Sequence, residues 1–354
     1  MENRQWILVK RPTNQVSVEH FSSVSSEIPL PDQARGEVLI KTLMLSFDPA
    51  MRGWMDDIPS YLPPVALGDP MRAAGVGQVI QSDNPDLPLG TLVQGVLGWQ
   101  EYVAAGPNSL FPPRPLPPGT PANLALSILG ATSLTAYFGL LRIGKPQPGD
   151  TVLVSAAAGA TGSVAAQIAK IKGCRVIGLA GNDEKCCWLR DELHLDAAIN
   201  YKTENVAQQL ANHCPDGIDV FFDNVGGELL QTVISLASDH ARFVLCGAIS
   251  QYNTAHDLDG TVAQPGPSNL FHLISKRIKM QGFIVFDYMD QAEIAIADLV
   301  QWLSDGRLHW REDTQQGFDN IPKTFLRLFD GSNRGKQLLK LADPDDELTC
   351  TNEK

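Results

Sequence analysis

The stretch SAAAGATGSVAAQIAK, residues 155–170, sets small side chains at 157, 159 and 162 directly after the apolar run TVLV. A turn that leaves a buried strand and opens a helix has several backbone N–H groups without intrahelical partners, and its aligned peptide dipoles favour an anion. A phosphate suits that field. Gly159 and Gly162, with Ala157 in the first position, match the G-x-G-x-x-G spacing that brings a pyrophosphate to the backbone and the helix to the strand. Tight helix–strand packing without a ligand would use the same small residues, so the surrounding elements must arbitrate.

The end of the next apolar run bears on which dinucleotide fits. NAD sites place an acid ~20 residues beyond the loop to accept from the ribose 2′-hydroxyl. Here VIGLAGNDEK puts Gly181 and Asn182 at that point and Lys185 within one helical turn. Small residues with a cation suit a 2′-phosphate, so the pattern favours NADP(H). Asp183 and Glu184 stand close enough to compete for the lysine, and a solvated helix-face lysine is the bland alternative.

Elements that could position such a loop are legible from about residue 125 onward. TVLVSA then 161–172, CRVIGLA then 183–193, AAIN then 203–213, IDVFFDNVGG then 227–237, and ARFVLCGAIS repeat strand, Gly-rich turn and helix. That alternation implies α/β architecture with a doubly wound parallel sheet. MQGFIVF (280–286) is expected as a sixth strand, and QAEIAIADLVQWLSDG as a helix closing at Gly306. Residues 1 to about 125 instead read as β-rich, and the proline-dense FPPRPLPPGTP (111–121) marks a border, because successive prolines forbid helix and central strand. IPKTFLRLFDGSNRGKQLLKL reads as a helix, a turn and one more strand.

The totals narrow the function classes. With 354 residues there is room for two domains, and a net charge of −12 with no Lys/Arg run of five opposes a nucleic-acid partner. No stretch of eighteen uncharged apolar residues occurs and MENRQWILVKRPTNQ lacks a signal-peptide core, so no membrane partner and a cytoplasmic location are expected. The six cysteines, Cys174, Cys186, Cys187, Cys214, Cys246 and Cys350, form no C-x-x-C pair and read as reduced structural thiols. Before residue 170 the only histidine is His20, and no H-E-x-x-H spacing occurs, so no metal is expected.

LSFDPAMRGWM (45–55), GATSLTAYFGLL (130–141), AAAGATGSVAAQIAK, GNDEK, NYK (200–202), FDNVGGE (222–228), CGAISQYN (246–253), MQGFIVFDY (280–288) and GSNRGK (331–336) run in one order along nearly the whole chain. In these motifs the sequence resembles the zinc-free medium-chain dehydrogenase/reductases, specifically the NADPH-dependent double-bond reductases of the curcumin reductase and prostaglandin reductase types. The resemblance implies a GroES-like β-barrel domain from residues 1–125 with 310–354, a Rossmann NADP-binding domain over 126–309, NADPH in the cleft, and a homodimer joined through the Rossmann edge strands. It places Ala160, Thr161, Gly162 and Ser163 at the pyrophosphate, and Lys185 and Tyr201 around the 2′-phosphate. Asn224, the run Cys246, Gly247, Ala248, Ile249, Ser250 to Tyr252, the nicotinamide-side Phe283, Ile284 and Val285, and Asn333 from the tail complete the implied cofactor contacts. Phe283 to Val285 would also serve as plain strand core, and Asn333 as a plain turn residue.

The implied reaction is hydride transfer from NADPH to the β-carbon of an α,β-unsaturated ketone or aldehyde, with protonation of the resulting enolate. Without zinc the protein needs a hydroxyl donor at the carbonyl oxygen. Mammalian relatives carry a tyrosine where FHLISKRIKM has Ser275, so the donor here must be another group. Tyr61 in PSYLPPVALG is the first choice and Tyr252 the second, with water or the cofactor ribose as the remainder. Asp48 and Arg52 read as a structural pair in the loop that also holds Met51, and Thr135 as either a nicotinamide-side contact or a helix residue. Quinone reduction and non-catalytic NADPH binding are the competing readings. A zinc alcohol dehydrogenase is excluded for want of Cys and His ligands in the N-terminal half.

Overall fold

The computed structural model describes residues 2–253 and 266–349, so Cys350 and residues 254–265 lie outside the described residues. The chain divides into two units, residues 128–311 and residues 1–127 with 312–354.

The first unit is built on a six-stranded sheet in the order Ala197–Asn200, Arg175–Ala180, Thr151–Val154, Ile218–Asp223, Ala237–Leu245, Lys279–Gly282, with every adjacent pair parallel. In chain order this is 3-2-1-4-5-6, the doubly wound order of a Rossmann fold. Val152, Leu153, Val154, Val220, Phe221 and Phe222 are fully buried, because a parallel strand covered on both faces must be apolar throughout rather than alternating. The helices Ala160–Ile171, Asp183–Asp191, Val206–His213 and Gly227–Leu236 follow the first four strands in turn. The third starts later than its apolar pattern suggests, because the Asn205 side chain caps it by accepting from the Gln208 N–H.

The sixth strand is shorter than its sequence implies. Pairing with Ala237–Leu245 stops at Gly282, and a 3₁₀ segment begins at Val285. Phe283 leaves the sheet to pack over Gly139, where an added Cβ would stand 2.5 Å from its ring. Ile284 and Val285 therefore fall outside the ladder. The closing helix Ala292–Ser304 stops two residues before Gly306, which takes the left-handed turn at φ 66°.

The second unit contains a mixed seven-stranded sheet. Its order is Glu312–Gln316, Lys336–Lys340, Val38–Phe47, Ala74–Gln81, Leu92–Val96, Arg114–Pro115, and Tyr102–Ala105 pairs with Val38–Phe47. Only the first of these pairings is parallel. A two-stranded ribbon, Glu2–Leu8 with Phe21–Glu27, lies beside it. The fully buried Trp99 ring is the centre of this core, with Phe21 at 4.9 Å, Phe325 at 5.5 Å and Phe47 at 5.8 Å. Phe325 belongs to the helix Ile321–Asp330, so residues from both ends of the chain build one core.

Candidate active site

The strand order places Thr151–Val154 beside Ile218–Asp223, and the loops after these strands meet. The Ser155 hydroxyl donates to Asp223 Oδ1 at 2.9 Å, and that carboxylate also accepts the Val225 and Gly226 N–H groups. Asn224 donates its amide to the Ser155 carbonyl at 2.7 Å. Burial pushes the Asp223 carboxyl above its ordinary pKa, opposed by these hydrogen bonds. The network fixes both loops at the sheet's carboxyl edge, the position where open α/β sheets take ligands.

The first of these loops is shaped to admit an anion. Gly159 is the N-cap of Ala160–Ile171 and no side chain caps this helix, so the first-turn N–H groups of Ala160, Thr161 and Gly162 lack intrahelical partners. A Cβ on Gly162 would stand 2.3 Å from the Ala156 carbonyl, so the helix passes over the turn at a distance only glycine permits. Ser163 is buried in the same turn. Ala157 in place of a first glycine is accommodated across the sheet, where Gly178 leaves space for its methyl group.

The loop after Arg175–Ala180 holds the residues expected around a 2′-phosphate. Tyr201 Oη lies where an added Gly181 Cβ would be 2.9 Å away, and the ring keeps half its surface exposed. Asn182 caps the helix Asp183–Asp191 by accepting from the Lys185 N–H at 2.8 Å, which brings the Lys185 stem to the positive end of that helix. Asp183, one of the two acids that compete for the lysine in the sequence, accepts from the Asn200 amide at 2.7 Å.

Beyond the fifth strand, the Cys246 and Gly247 N–H groups donate to the Asp223 carbonyl, Ile249 to Asn224 and Ser250 to Val225. Residues 246–250 are thus zipped to the Asn224 loop. Burial pushes the Cys246 thiol up to about 12, so it stays protonated as packing. Tyr252 turns its hydroxyl back onto this loop, where it accepts the Ala248 N–H at 3.3 Å. Phe283, Ile284 and Val285 are half-buried. Asn333 donates to the Gly335 carbonyl at 3.0 Å within its own turn, and Thr135 donates to Ala131 within its helix. Ser275 sits exposed at the end of the helix Phe271–Ser275.

In the second unit the Trp54 indole N–H donates to Tyr61 Oη at 3.0 Å, and the Arg72 guanidinium stands 5.5 Å from the centroid of the Trp54 ring. Tyr61 is 45% exposed, so its hydroxyl edge is reachable. Burial raises its pKa above the ordinary phenol value, with the Trp54 hydrogen bond working the other way. The 3₁₀ segment Pro49–Met55, which carries Trp54, is held by two cations. The expected Asp48–Arg52 pair does not form. The fully buried Arg52 reaches Asp56 at 2.6 Å and the Pro12 carbonyl at 3.1 Å, while Asp48 stands in extended backbone ahead of the segment's first turn. Asp48 instead takes the buried Lys336 ammonium and the Ser46 hydroxyl. In the sequence Lys336 is only the end of the GSNRGK motif, and nothing in the strand KQLLK marks it as buried. Met51 is buried in the core.

Uncapped first-turn amides, a glycine cradle and an adjacent cation are the features a phosphorylated dinucleotide needs, so these residues fit NADP(H). Zinc does not fit. No group of three or more His, Cys, Asp or Glu side chains among the described residues could hold a metal ion. No helix among them is long and apolar enough to cross a membrane.

Residues 4–112 match the family described as N-terminal domain of oxidoreductase, and residues 160–304 the family described as zinc-binding dehydrogenase. The chain belongs to the medium-chain dehydrogenase/reductases, in the group of the curcumin and prostaglandin reductases. It is 49% identical, over 90% of its length and 92% of the relative's, to YfmJ of Bacillus subtilis (strain 168), provisionally described as an NADP-dependent oxidoreductase. It is 38% identical to the NADPH-dependent curcumin reductase of Escherichia coli (strain K12), covering 97% and 98% of the two chains. The crystal structure of CurA from Vibrio vulnificus in complex with NADPH superposes with a TM-score of 0.88 at 41% identity, covering 96% of this chain and all of that one.

Proposed function

We infer that the chain is an NADPH-dependent reductase of the C=C bond of α,β-unsaturated ketones and aldehydes. The observation that carries this is the conjunction of the uncapped Gly159–Gly162 turn with a full-length likeness to an NADPH-bound CurA. The Ala160–Ser163 turn would hold the pyrophosphate, and Lys185 and Tyr201 the 2′-phosphate. The Asn224 loop, residues 246–250 and Phe283 to Val285 would line the nicotinamide side, with Asn333 as a contact from the tail. When bound, NADPH supplies the hydride that reaches the β-carbon of the substrate.

The task left to the chain is to stabilise negative charge on the carbonyl oxygen and to keep a proton near it. Tyr61 is the donor this reading favours: it is exposed, its phenol is protonated at neutral pH, and the Trp54 N–H fixes its oxygen. Such a donor supplies about 2.7–4 kcal/mol at an oxyanion. Tyr252 is the second candidate, because it is less exposed than Tyr61 and its hydroxyl is turned back onto the 246–250 loop.

The same reading includes a homodimer joined at the exposed edge strand Lys279–Gly282, which among the described residues pairs on one side only. It also includes a cytoplasmic location, supported by the free thiols of Cys174, Cys186, Cys187, Cys214 and Cys246. The deciding assay offers NADPH or NADH with curcumin, a 2-alkenal and a quinone, following absorbance at 340 nm and the product by mass. Saturation of the enone C=C with NADPH preferred supports the reading. Consumption of the quinone alone, or tight NADPH binding with no turnover of any of the three, overturns it.

A further inference from the structure

Arg72 lies two residues ahead of the strand Ala74–Gln81, and nothing in the reading above gives it a task. Other arginines of this chain meet acceptors: Arg4 has Glu101, Arg52 has Asp56, Arg242 has Asp150 and Arg327 has Asp313. Arg72 Nη1 is buried and has no hydrogen-bond partner among the described residues, and its guanidinium makes no ion pair there. Its neighbours are the Trp54 ring, which attracts the cation through its face, and the Tyr61 side chain. Arg242 Nε is also without a partner, yet its terminal nitrogens hold Asp150, Lys145 and Asp219. Arg72 has no such anchor.

A partly desolvated guanidinium donor without an acceptor is costly, and the planar fork of arginine matches a carboxylate with two parallel hydrogen bonds. Trp54 and Tyr61 beside it would contact an apolar chain and a carbonyl. We propose that Arg72 receives an anionic group of the substrate, so that the preferred enones carry a carboxylate a few bonds from the carbonyl, on its saturated side. This rests on the reductase reading for its chemistry, while the binding preference stands on the cluster alone.

The test uses two matched pairs: 4-oxooctanoate against its methyl ester for binding to the NADP+-loaded protein by calorimetry, and 4-oxo-5-octenoate against its methyl ester for turnover with NADPH. The saturated acid should bind about tenfold tighter than the ester, with the margin shrinking as salt is added. Arg72→Met should bind both equally, and Arg72→Lys, which keeps the charge without the fork, should retain part of the margin. In turnover the acid's advantage should lie in KM, and the NADPH affinity of both variants should match the wild type. Equal binding of acid and ester by the wild type, a margin that survives in Arg72→Met, or a variant defect confined to NADPH binding each overturns the proposal. An acid preference in binding with neither enone reduced supports Arg72 as the anion site and overturns the reductase reading instead.

Discussion

The turn at residues 159–163 and the Trp54–Tyr61–Arg72 cluster offer donors of different kinds. In the turn the donors are backbone N–H groups, and what matters is that side chains stay small. In the cluster the donors are an indole, a phenol and a guanidinium drawn from three separate stretches. A backbone site is written contiguously and tolerates any sequence that keeps its turn. A side-chain site depends on remote supports, here the Lys336 contact that ties the Asp48 loop to the C-terminal strand.

Substitutions can break this contrast. The largest effect is expected at Tyr61. Tyr61→Phe should lower kcat by about 100- to 1000-fold with NADPH affinity unchanged. Because the folded pKa is raised, the neutral donor persists past the ordinary phenol value of 10.0 and is lost only as pH climbs through the higher value. The wild-type alkaline limb should fall above that pH and vanish in the variant; an unchanged kcat assigns the proton to another group.

Next comes Lys336→Met, which strands the Asp48 carboxylate. Asp48 is 26% exposed and keeps the Ser46 hydroxyl, so the loss should be about 1–3 kcal/mol, read from urea unfolding. NADPH affinity should hold. A large loss of affinity would mean that the backbone site also leans on this support.

Gly162→Ala drives a methyl group against the Ala156 carbonyl. Overpacking of this kind costs about 1–3 kcal/mol, to be seen as weaker NADPH binding by fluorescence titration. Wild-type affinity in this variant would show that the turn does not set the pyrophosphate site.

Lys185→Glu should cut the preference for NADPH over NADH by roughly tenfold or more through one lost charge-assisted contact. An unaltered ratio would move the 2′-phosphate elsewhere.

The smallest effect concerns Asp313. Burial pushes its carboxyl up, but Arg327, Gln315 and the Arg334 N–H outweigh it and hold the pKa below 3.8. Its stabilising contribution is present above that value and fades as pH falls through the lowered one. Arg327→Met should remove about 0.5–1 kcal/mol at neutral pH, and less at pH 2. A pH-independent difference would argue for packing alone.

Most of the Rossmann unit was legible because its signals are local. TVLV, RVIGLA and IDVFFD sit where their apolar runs say, since both faces of each strand are covered. Phe283 to Val285 read as strand in the sequence because an apolar run looks alike in a ladder and beside one, and the packing of Phe283 over Gly139, far away in sequence, is visible only in the fold. Asp48 was paired with Arg52 by proximity along the chain. Its actual partner is Lys336, which no spacing rule connects to it.

By itself the sequence determined the βαβ rhythm, the small-residue turn after the first parallel strand and the lysine beyond the second, because each depends on residues within one or two turns of one another. Tertiary structure alone decided that Asp183 is occupied by Asn200, that Trp54 braces Tyr61, and that Arg72 stands beside them without an acid among the described residues. The physical reason is that a side-chain hydrogen bond or charge pair depends on distance in space. The chain's own order constrains that distance only within a helix turn or a tight loop.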